Sequence, residues 1–127
     1  MKRYRPVAQQ DEWGCGVACV ASVLGISYAD AAARLRLKPG GNGTGPTSAA
    51  LRRVLNEAFK DTGLAYELDR PFIGDPDGLE TGAIVSLASG RCLMRTADGW
   101  MDPEGGKVRP TLPGEVRQAL VLTPVHP

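Results

Sequence analysis

The most informative segment of the chain covers residues 7–25, which read Val7-Ala8-Gln9-Gln10-Asp11-Glu12-Trp13-Gly14-Cys15-Gly16-Val17-Ala18-Cys19-Val20-Ala21-Ser22-Val23-Leu24-Gly25. From Gly14 onward the residues are small and apolar on nearly every side, which predicts a helix buried in the middle of the fold. Gly25 has the position of a C-cap glycine, so the helix is expected to end there. Cys15 then lies at the helix N-terminus, where the positive end of the helix dipole stabilises a thiolate, the reactive form of cysteine.

The residues around Cys15 fit the surroundings of a nucleophile. Gly14 and Gly16 keep side chains away from an approaching substrate carbonyl. A backbone N–H at the start of the helix can point at a developing oxyanion, and the side-chain amide of Gln9 can supply a second donor. The alternative is that Cys15 is a small buried hydrophobic residue, as free cysteines often are. The residues alone leave both interpretations open.

Two further helices and a series of strands follow along the chain. Helices are predicted over residues 28–35 and 47–59, separated by a glycine-rich loop at residues 38–45. Strands are predicted over residues 64–68, 83–87, 91–96, 100–102, 108–112 and 119–123. Helices first and strands second predict an α+β fold, in which an N-terminal helical half packs on a C-terminal antiparallel sheet. One domain is expected to span residues 1–127.

The net charge, the lengths of the apolar runs and the N-terminal residues do not favour nucleic acid or a membrane as a partner. The 127 residues include 15 basic and 14 acidic side chains, a formal net charge of +1, so nothing favours nucleic acid or an anionic membrane as the main partner. No apolar run approaches the roughly 20 residues of a membrane helix, so no membrane insertion is expected. The basic N-terminus leads into the polar residues 9–12 and does not resemble a signal peptide. The expected location is therefore cytoplasmic.

Neither a metal nor another cofactor is expected. Cys15 and Cys19 are spaced like two metal ligands on a helix, but the only histidine is His126, near the end of the chain. No fourth soft ligand accompanies them. A reducing compartment would keep these cysteines and Cys92 as thiols.

Residues 9–19 resemble the nucleophile segment of the C39 peptidases and their papain-like relatives. These bacterial enzymes are the double-glycine leader peptidases of bacteriocin and peptide exporters. The family pattern is a glutamine, five intervening residues and then Cys-Gly-x-Ala-Cys, which is matched here by Gln9, Cys15, Gly16, Ala18 and Cys19. The resemblance implies a papain-like fold in which Cys15 is the nucleophile. Gly14 departs from the pattern, because the family usually has an acidic residue there.

Weaker similarity extends over most of the remaining chain. Residues 43–47 resemble the Gly-Thr loop of the family and the start of its third helix, and residues 83–87 resemble the strand that leads to the catalytic histidine. Residues 99–103 resemble the Asp-Pro strand end, which implies that Asp102 would orient that histidine. Arg91, however, stands where the histidine is expected.

This departure matters because an arginine cannot lose its proton near neutral pH and so cannot serve as the base. The guanidinium of Arg91 would still favour a Cys15 thiolate. A salt bridge from Arg91 to Asp102 is as plausible as a role for Asp102 in a turn. His126 is the only substitute base, in what is most simply a frayed end. Cys92 is predicted to point to the opposite face of its strand and to pack there, and Cys19 is predicted to lie in the core.

Three functional hypotheses follow. The first is a catalytically impaired pseudo-peptidase that binds a peptide or protein segment in its cleft, with Arg91, Gly14 and Gly16 as binding residues. The second is an active cysteine hydrolase, acyltransferase or deamidase with altered acid–base chemistry. The third is a scaffold in which Cys15 is a packed relic. The ATPase and membrane segments of exporter peptidases are missing, so the protein is expected to be free-standing or recruited to a partner in trans.

Overall fold

Three helices form the first part of the fold. The structure is a computed structural model that describes residues 4–40 and 43–125. The helices are α1 (Cys15–Leu24), α2 (Tyr28–Arg34) and α3 (Ser48–Ala58). α1 ends at Gly25, which adopts the left-handed conformation with φ of 68° that glycine accepts without strain. The hydroxyls of Ser27 and Thr47 each accept a backbone N–H from the first turn of α2 and α3, at 3.0 and 3.1 Å.

A six-stranded antiparallel sheet follows the helices. Its strands are β1 (Leu64–Asp69), β2 (Ile84–Leu87), β3 (Cys92–Thr96), β4 (Gly99–Asp102), β5 (Lys107–Arg109) and β6 (Val116–Pro124). Their order across the sheet is β1-β6-β2-β3-β4-β5. Strands β2, β3, β4 and β5 pair side by side in chain order, whereas β6 pairs between β1 and β2.

The two faces of the sheet are both buried. One face packs against the helices, with α1 in the centre; the shared core contains Val17, Leu55, Tyr66 and Met94. The other face carries a second cluster around Trp100, which connecting segments cover. Leu93 belongs to that second cluster and its neighbour Met94 to the first, as the alternation of side chains along a strand requires.

The predicted α+β arrangement of helices followed by an antiparallel sheet is confirmed. The bounds of the last two strands differ most from the prediction, which was residues 108–112 and 119–123. β5 stops at Arg109, because Pro110 has no N–H to donate to a neighbouring strand. β6 is longer than predicted and already begins at Val116, where it pairs with Leu87.

Within residues 4–40 and 43–125, no single helix is long and apolar enough to cross a membrane. Helices α1 and α2 together meet the criteria of length and hydrophobicity, but the chain bends by 104° between them.

Candidate functional site

Cys15 is the first residue of α1 and faces the start of β3. Its Sγ accepts the backbone N–H of Cys92 at 3.2 Å. The thiol also lies 3.9 Å from the carbonyl oxygen of Gly90, in the turn that leads into β3. Because the first N–H groups of a helix have no partner within the helix, they are free to act on a group placed at its N-terminus. The predicted placement of Cys15 at a helix start is confirmed.

The surroundings of Cys15 favour its thiolate. A hydrogen bond from the Cys92 thiol is the largest cause that lowers the pKa of Cys15 to about 6. Burial acts in the opposite direction, and the backbone N–H groups of Cys92, Gly16 and Cys15 itself add to the lowering. The same bond between the thiols, together with burial, raises the pKa of Cys92. The proton of the pair therefore belongs to Cys92.

The prediction that Cys92 packs is confirmed, but the prediction that it lies on the face of the strand away from Cys15 is wrong. Cys92 and Met94 are two residues apart in β3, so their side chains share one face of the sheet. Met94 is buried in the core beneath the helices, and Cys92 packs partly against the same core. That face is the one on which α1 begins. Cys19, in contrast, lies in the core as predicted and is fully buried.

Arg91 is bound to Asp102, which is one of the two alternatives left open for Asp102. The Arg91 guanidinium donates to Oδ1 of Asp102 and lies 3.4 Å from the carboxylate of Glu104. Arg109 donates to Oδ2 of Asp102 at 3.2 Å. Oδ1 of Asp102 also accepts the backbone N–H of Glu104 at 2.9 Å. The side chain of Asp102 is only 1% exposed. Two guanidinium groups therefore enclose a buried carboxylate.

Hydrogen bonds around Asp102 determine the direction in which the pKa values of Asp102 and Arg91 are shifted. Burial raises the pKa of Asp102, but the bonds from Arg91, the Glu104 N–H and Arg109 outweigh it, so the pKa is lowered overall. The bond to Asp102 is also the main cause that raises the pKa of Arg91, to which the charge of Cys15 makes the smallest contribution. The expectation that Arg91 holds the Cys15 thiolate is thus met only weakly. Cys92 and the backbone N–H groups supply the main stabilisation.

Gln9 is engaged with the loop that leads into α1. Its Nε2 donates to the carbonyl oxygens of Asp11 at 2.9 Å and of Glu12 at 3.2 Å, and its backbone N–H donates to that of Pro103 at 2.8 Å. Both amide hydrogens of the side chain are therefore in use. To act as an oxyanion donor, Gln9 would have to exchange one of these bonds for a bond to the substrate.

The two glycines beside Cys15 differ in what their lack of a side chain permits. A Cβ on Gly14 would lie 1.9 Å from the Tyr28 hydroxyl, which donates to Asp11 at 2.8 Å. An acidic residue at position 14 is therefore incompatible with this position of Tyr28. A Cβ on Gly16 would lie 3.2 Å from Leu51, so Gly16 permits the close packing of α1 against α3. Of the two, Gly16 borders the cleft described next.

A cleft of about 230 Å³ adjoins Cys15. Its wall is formed by Glu12, Trp13, Cys15, Gly16, Gly45, Pro46, Gly90 and Cys92. Trp13 and Pro46 supply apolar surface, and Glu12 supplies a negative charge. A larger cavity of about 560 Å³ lies near the end of α3 and the start of β1, but no cysteine lines it. The smaller cleft is the better candidate for a site because it contains the activated thiol.

Three residues considered for the site were untested, missed or wrongly placed by the sequence analysis. His126 lies outside the described residues, so its use as a base stays a prediction. Arg109 was missed, although the Gly105-Gly106 turn predicts that a strand after it pairs back on the strand of Asp102 and brings basic residues beside it. Cys92 was noticed but assigned to the wrong face. Its two-residue spacing from the apolar Met94 is the signal that would have corrected the assignment.

The three helices and the six-stranded antiparallel sheet place the chain in the fold class of the C39-like peptidase domains. The likeness is to the solved crystal structure of the peptidase domain of Streptococcus ComA, a bi-functional ABC transporter involved in a quorum sensing pathway. The TM-score is 0.56 at 19% sequence identity, over 96% of this chain and 99% of the other. At this identity the likeness shows the fold alone. No family model matches the chain, and no curated protein matches it.

Alkylation of Cys15 by iodoacetamide is expected to titrate with a pKa of about 6. Replacing Cys92 with alanine removes the largest cause of the lowering, so the pKa should rise toward the ordinary value of about 8.5, with a rate on the order of tenfold lower near pH 7. Mass spectrometry of the modified protein across pH measures both values. Cys19→Ala is the matched control and should leave the titration in place. A wild-type Cys15 that titrates like a free thiol would contradict the expectation.

Proposed function

We propose that this C39-peptidase-like protein binds an extended peptide or protein segment in the cleft beside Cys15 and does not turn over amide bonds. The observation that carries the proposal is the ion pair between Arg91 and Asp102. Arg91 stands where the family resemblance expects the catalytic histidine, and its charge is held there by a carboxylate that would otherwise orient that histidine.

The chemistry of amide hydrolysis explains why this substitution is decisive. A general base has to take up a proton near neutral pH and then return it to the leaving amine. The bond to Asp102 raises the pKa of Arg91, whose guanidinium is already protonated at every physiological pH. Asp102 itself is occupied by Arg91 and Arg109. An amine that leaves without a proton is a poor leaving group, so turnover of an amide should be very slow.

The form of the cleft supports binding of an extended chain. Gly45 and Gly90 lie on its wall, and a Cβ added at Gly90 would meet no atom within 4 Å, so no side chain obstructs the approach of a peptide backbone on that side. Accessible backbone can form main-chain hydrogen bonds with an extended peptide, and pockets beside it then select side chains. Trp13 supplies an aromatic surface of the kind that dominates binding energies.

Binding is expected to be independent of the thiol. A suitable probe is a synthetic leader peptide that ends in two glycines and carries a coumarin amide, since the family resemblance implies such leaders. Wild type and Cys15→Ala should bind this probe with dissociation constants within about threefold, since a difference below about 0.7 kcal/mol is expected when no covalent bond forms. Fluorescence anisotropy measures binding, and release of free coumarin measures hydrolysis.

Two matched variants locate the binding site. Trp13→Ala should weaken binding by tenfold or more, on the order of the 1.4 kcal/mol lost with an aromatic contact. Ile73→Ala, at a side chain that is 91% exposed and outside the cleft, should not. Loss of binding in Cys15→Ala, or coumarin release that depends on Cys15, would overturn the proposal.

The second candidate is an active cysteine enzyme, an acyltransferase, deamidase or hydrolase in which water or substrate carries the proton. The lowered pKa of Cys15 favours it, because a thiolate is the attacking species. Coumarin release that depends on Cys15 distinguishes this candidate from binding alone. A buried sulfur without an adjoining cleft would favour the scaffold hypothesis, whereas Cys15 is partly exposed and borders a cleft.

A further inference from the structure

Two thiols of the described chain meet in the wall of the same cleft. Cys15 and Cys92 both line the cleft, and the Cys92 side chain packs on the face of the sheet on which α1 begins. The Cys15 sulfur is 3.2 Å from the backbone nitrogen of Cys92. Because an N–Cα bond is about 1.5 Å long, that sulfur lies within about 5 Å of the Cys92 Cα and is therefore next to the Cys92 side chain.

We propose that Cys15 and Cys92 form a redox-modification site, at which a peroxide converts the two thiols reversibly into an intramolecular disulfide. This inference goes beyond peptide binding and does not depend on it. The third cysteine, Cys19, is fully buried, so a peroxide in the cleft reaches Cys15 first.

The chemistry balances in two steps. The Cys15 thiolate attacks one oxygen of the peroxide, the O–O bond breaks, and the product is a sulfenic acid on Cys15 with hydroxide as leaving group. The sulfur of Cys92 then attacks the Cys15 sulfur, the S–O bond breaks, and the Cys92 proton leaves with the departing hydroxyl as water. The two thiols supply two electrons, which reduce the peroxide to water. A low-molecular-weight thiol restores both cysteines by exchange.

The local structure assigns different roles to the two sulfurs. Cys15 is the attacking sulfur, since backbone N–H groups and the neighbouring thiol stabilise its thiolate. Cys92 is the resolving sulfur and the proton donor, with the Ser86 hydroxyl 3.8 Å from it. A disulfide between them joins the start of α1 to the start of β3 and consumes the nucleophile. Oxidation is therefore expected to block alkylation of Cys15.

The test treats the folded protein with hydrogen peroxide, unfolds it in guanidinium chloride with iodoacetamide so that every remaining thiol, including the buried Cys19, is blocked, and digests it with trypsin. In the wild type the number of alkylatable thiols should fall from three to one, and dithiothreitol should restore all three. Trypsin cleaves after Arg91 and Arg95, so Cys92 is recovered in the peptide Cys92-Leu93-Met94-Arg95. That peptide should be disulfide-linked to the peptide that contains Cys15.

Cys15 and Cys19 share one tryptic peptide, because no Lys or Arg separates them. Cys19→Ala should therefore keep the link, which assigns it to Cys15. Cys92→Ser should lose the link and accumulate a dimedone-reactive sulfenic acid on Cys15. Wild type that retains a sulfenic or sulfinic acid on Cys15 with no linked peptide would overturn the proposal, as would a link that disappears in a folded Cys19→Ala. Neither readout involves peptide binding or amide hydrolysis, so failure here leaves the proposed function standing.

Discussion

Arg91→His is expected to give the protein a Cys15-dependent amide hydrolase activity, with coumarin release raised by at least about 100-fold over the wild type. An imidazole takes up and returns protons near neutral pH, which a guanidinium cannot do. Asp102 is in direct contact with the present side chain, and it is expected to orient the shorter imidazole as well. General acid–base catalysis typically contributes about 10²- to 10⁴-fold, so the lower end of that range is the conservative expectation.

Two variants control this gain of activity. Arg91→Gln removes the same charge without adding a base and should stay inactive toward the amide probe. The double variant with Arg91→His and Cys15→Ala should also be inactive, because it lacks the nucleophile. If folded Arg91→His alkylates normally at Cys15 yet releases no coumarin, position 91 is not the place of the missing base, and the proposed reason for inactivity is wrong.

Asp102→Asn is expected to lower the free energy of unfolding by about 2–4 kcal/mol near neutral pH. The substitution leaves the two guanidinium groups of Arg91 and Arg109 without their shared buried counter-charge. Removing one partner of a fully buried pair costs about 3–5 kcal/mol, and the estimate is lower here because these side chains are 29% and 35% exposed and can be hydrated. Chemical denaturation of both variants measures the difference. Asp98→Asn, an exposed acid in the β3–β4 turn, is the matched control and should have little effect.

Because the pKa of Asp102 is lowered in the folded protein, its contribution to the free energy of unfolding should decrease in acid. The pKa of Asp102 is lowered in the folded protein, because its hydrogen bonds outweigh burial. Its contribution is therefore complete above the unfolded value of about 3.9 and is lost as the pH falls through the folded value. The gap in unfolding free energy between wild type and Asp102→Asn should narrow as the pH falls below about 3.9. A gap that stays constant or widens in acid would contradict the assignment of Asp102 as an ionised partner.

Local patterns in the sequence were sufficient to predict most elements of the fold. The small apolar run after Gly14 predicts a central helix, and Ser27 and Thr47 mark the starts of the next two. The Asp98-Gly99 turn predicts the β3–β4 hairpin. The place of β6 between β1 and β2 could not be predicted this way, because it depends on pairing between residues far apart in the chain.

The sequence predicted the position of the single residue Cys15 better than it predicted contacts between residues from different parts of the chain. The position of Cys15 followed from the predicted helix start, and the contact of Arg91 with Asp102 was one of two alternatives that the sequence left open. The second guanidinium, from Arg109, depends on the register of β4 with β5. The two bonds of the Gln9 amide depend on the path of an irregular loop, for which no periodic pattern exists.

The position of β6 inside the sheet constrains the order of events while the ribosome makes this protein. β1 emerges early, yet its neighbour in the sheet is β6, which is synthesised last among the described strands. A nascent chain that ends at β5 therefore exposes the backbone edges of both β1 and β2, which other chains can pair with. The helices can pack earlier, but the sheet closes only after residues 116–124 leave the ribosome. Protection from aggregation is thus needed until residues 116–124 have been synthesised and have paired with β1 and β2.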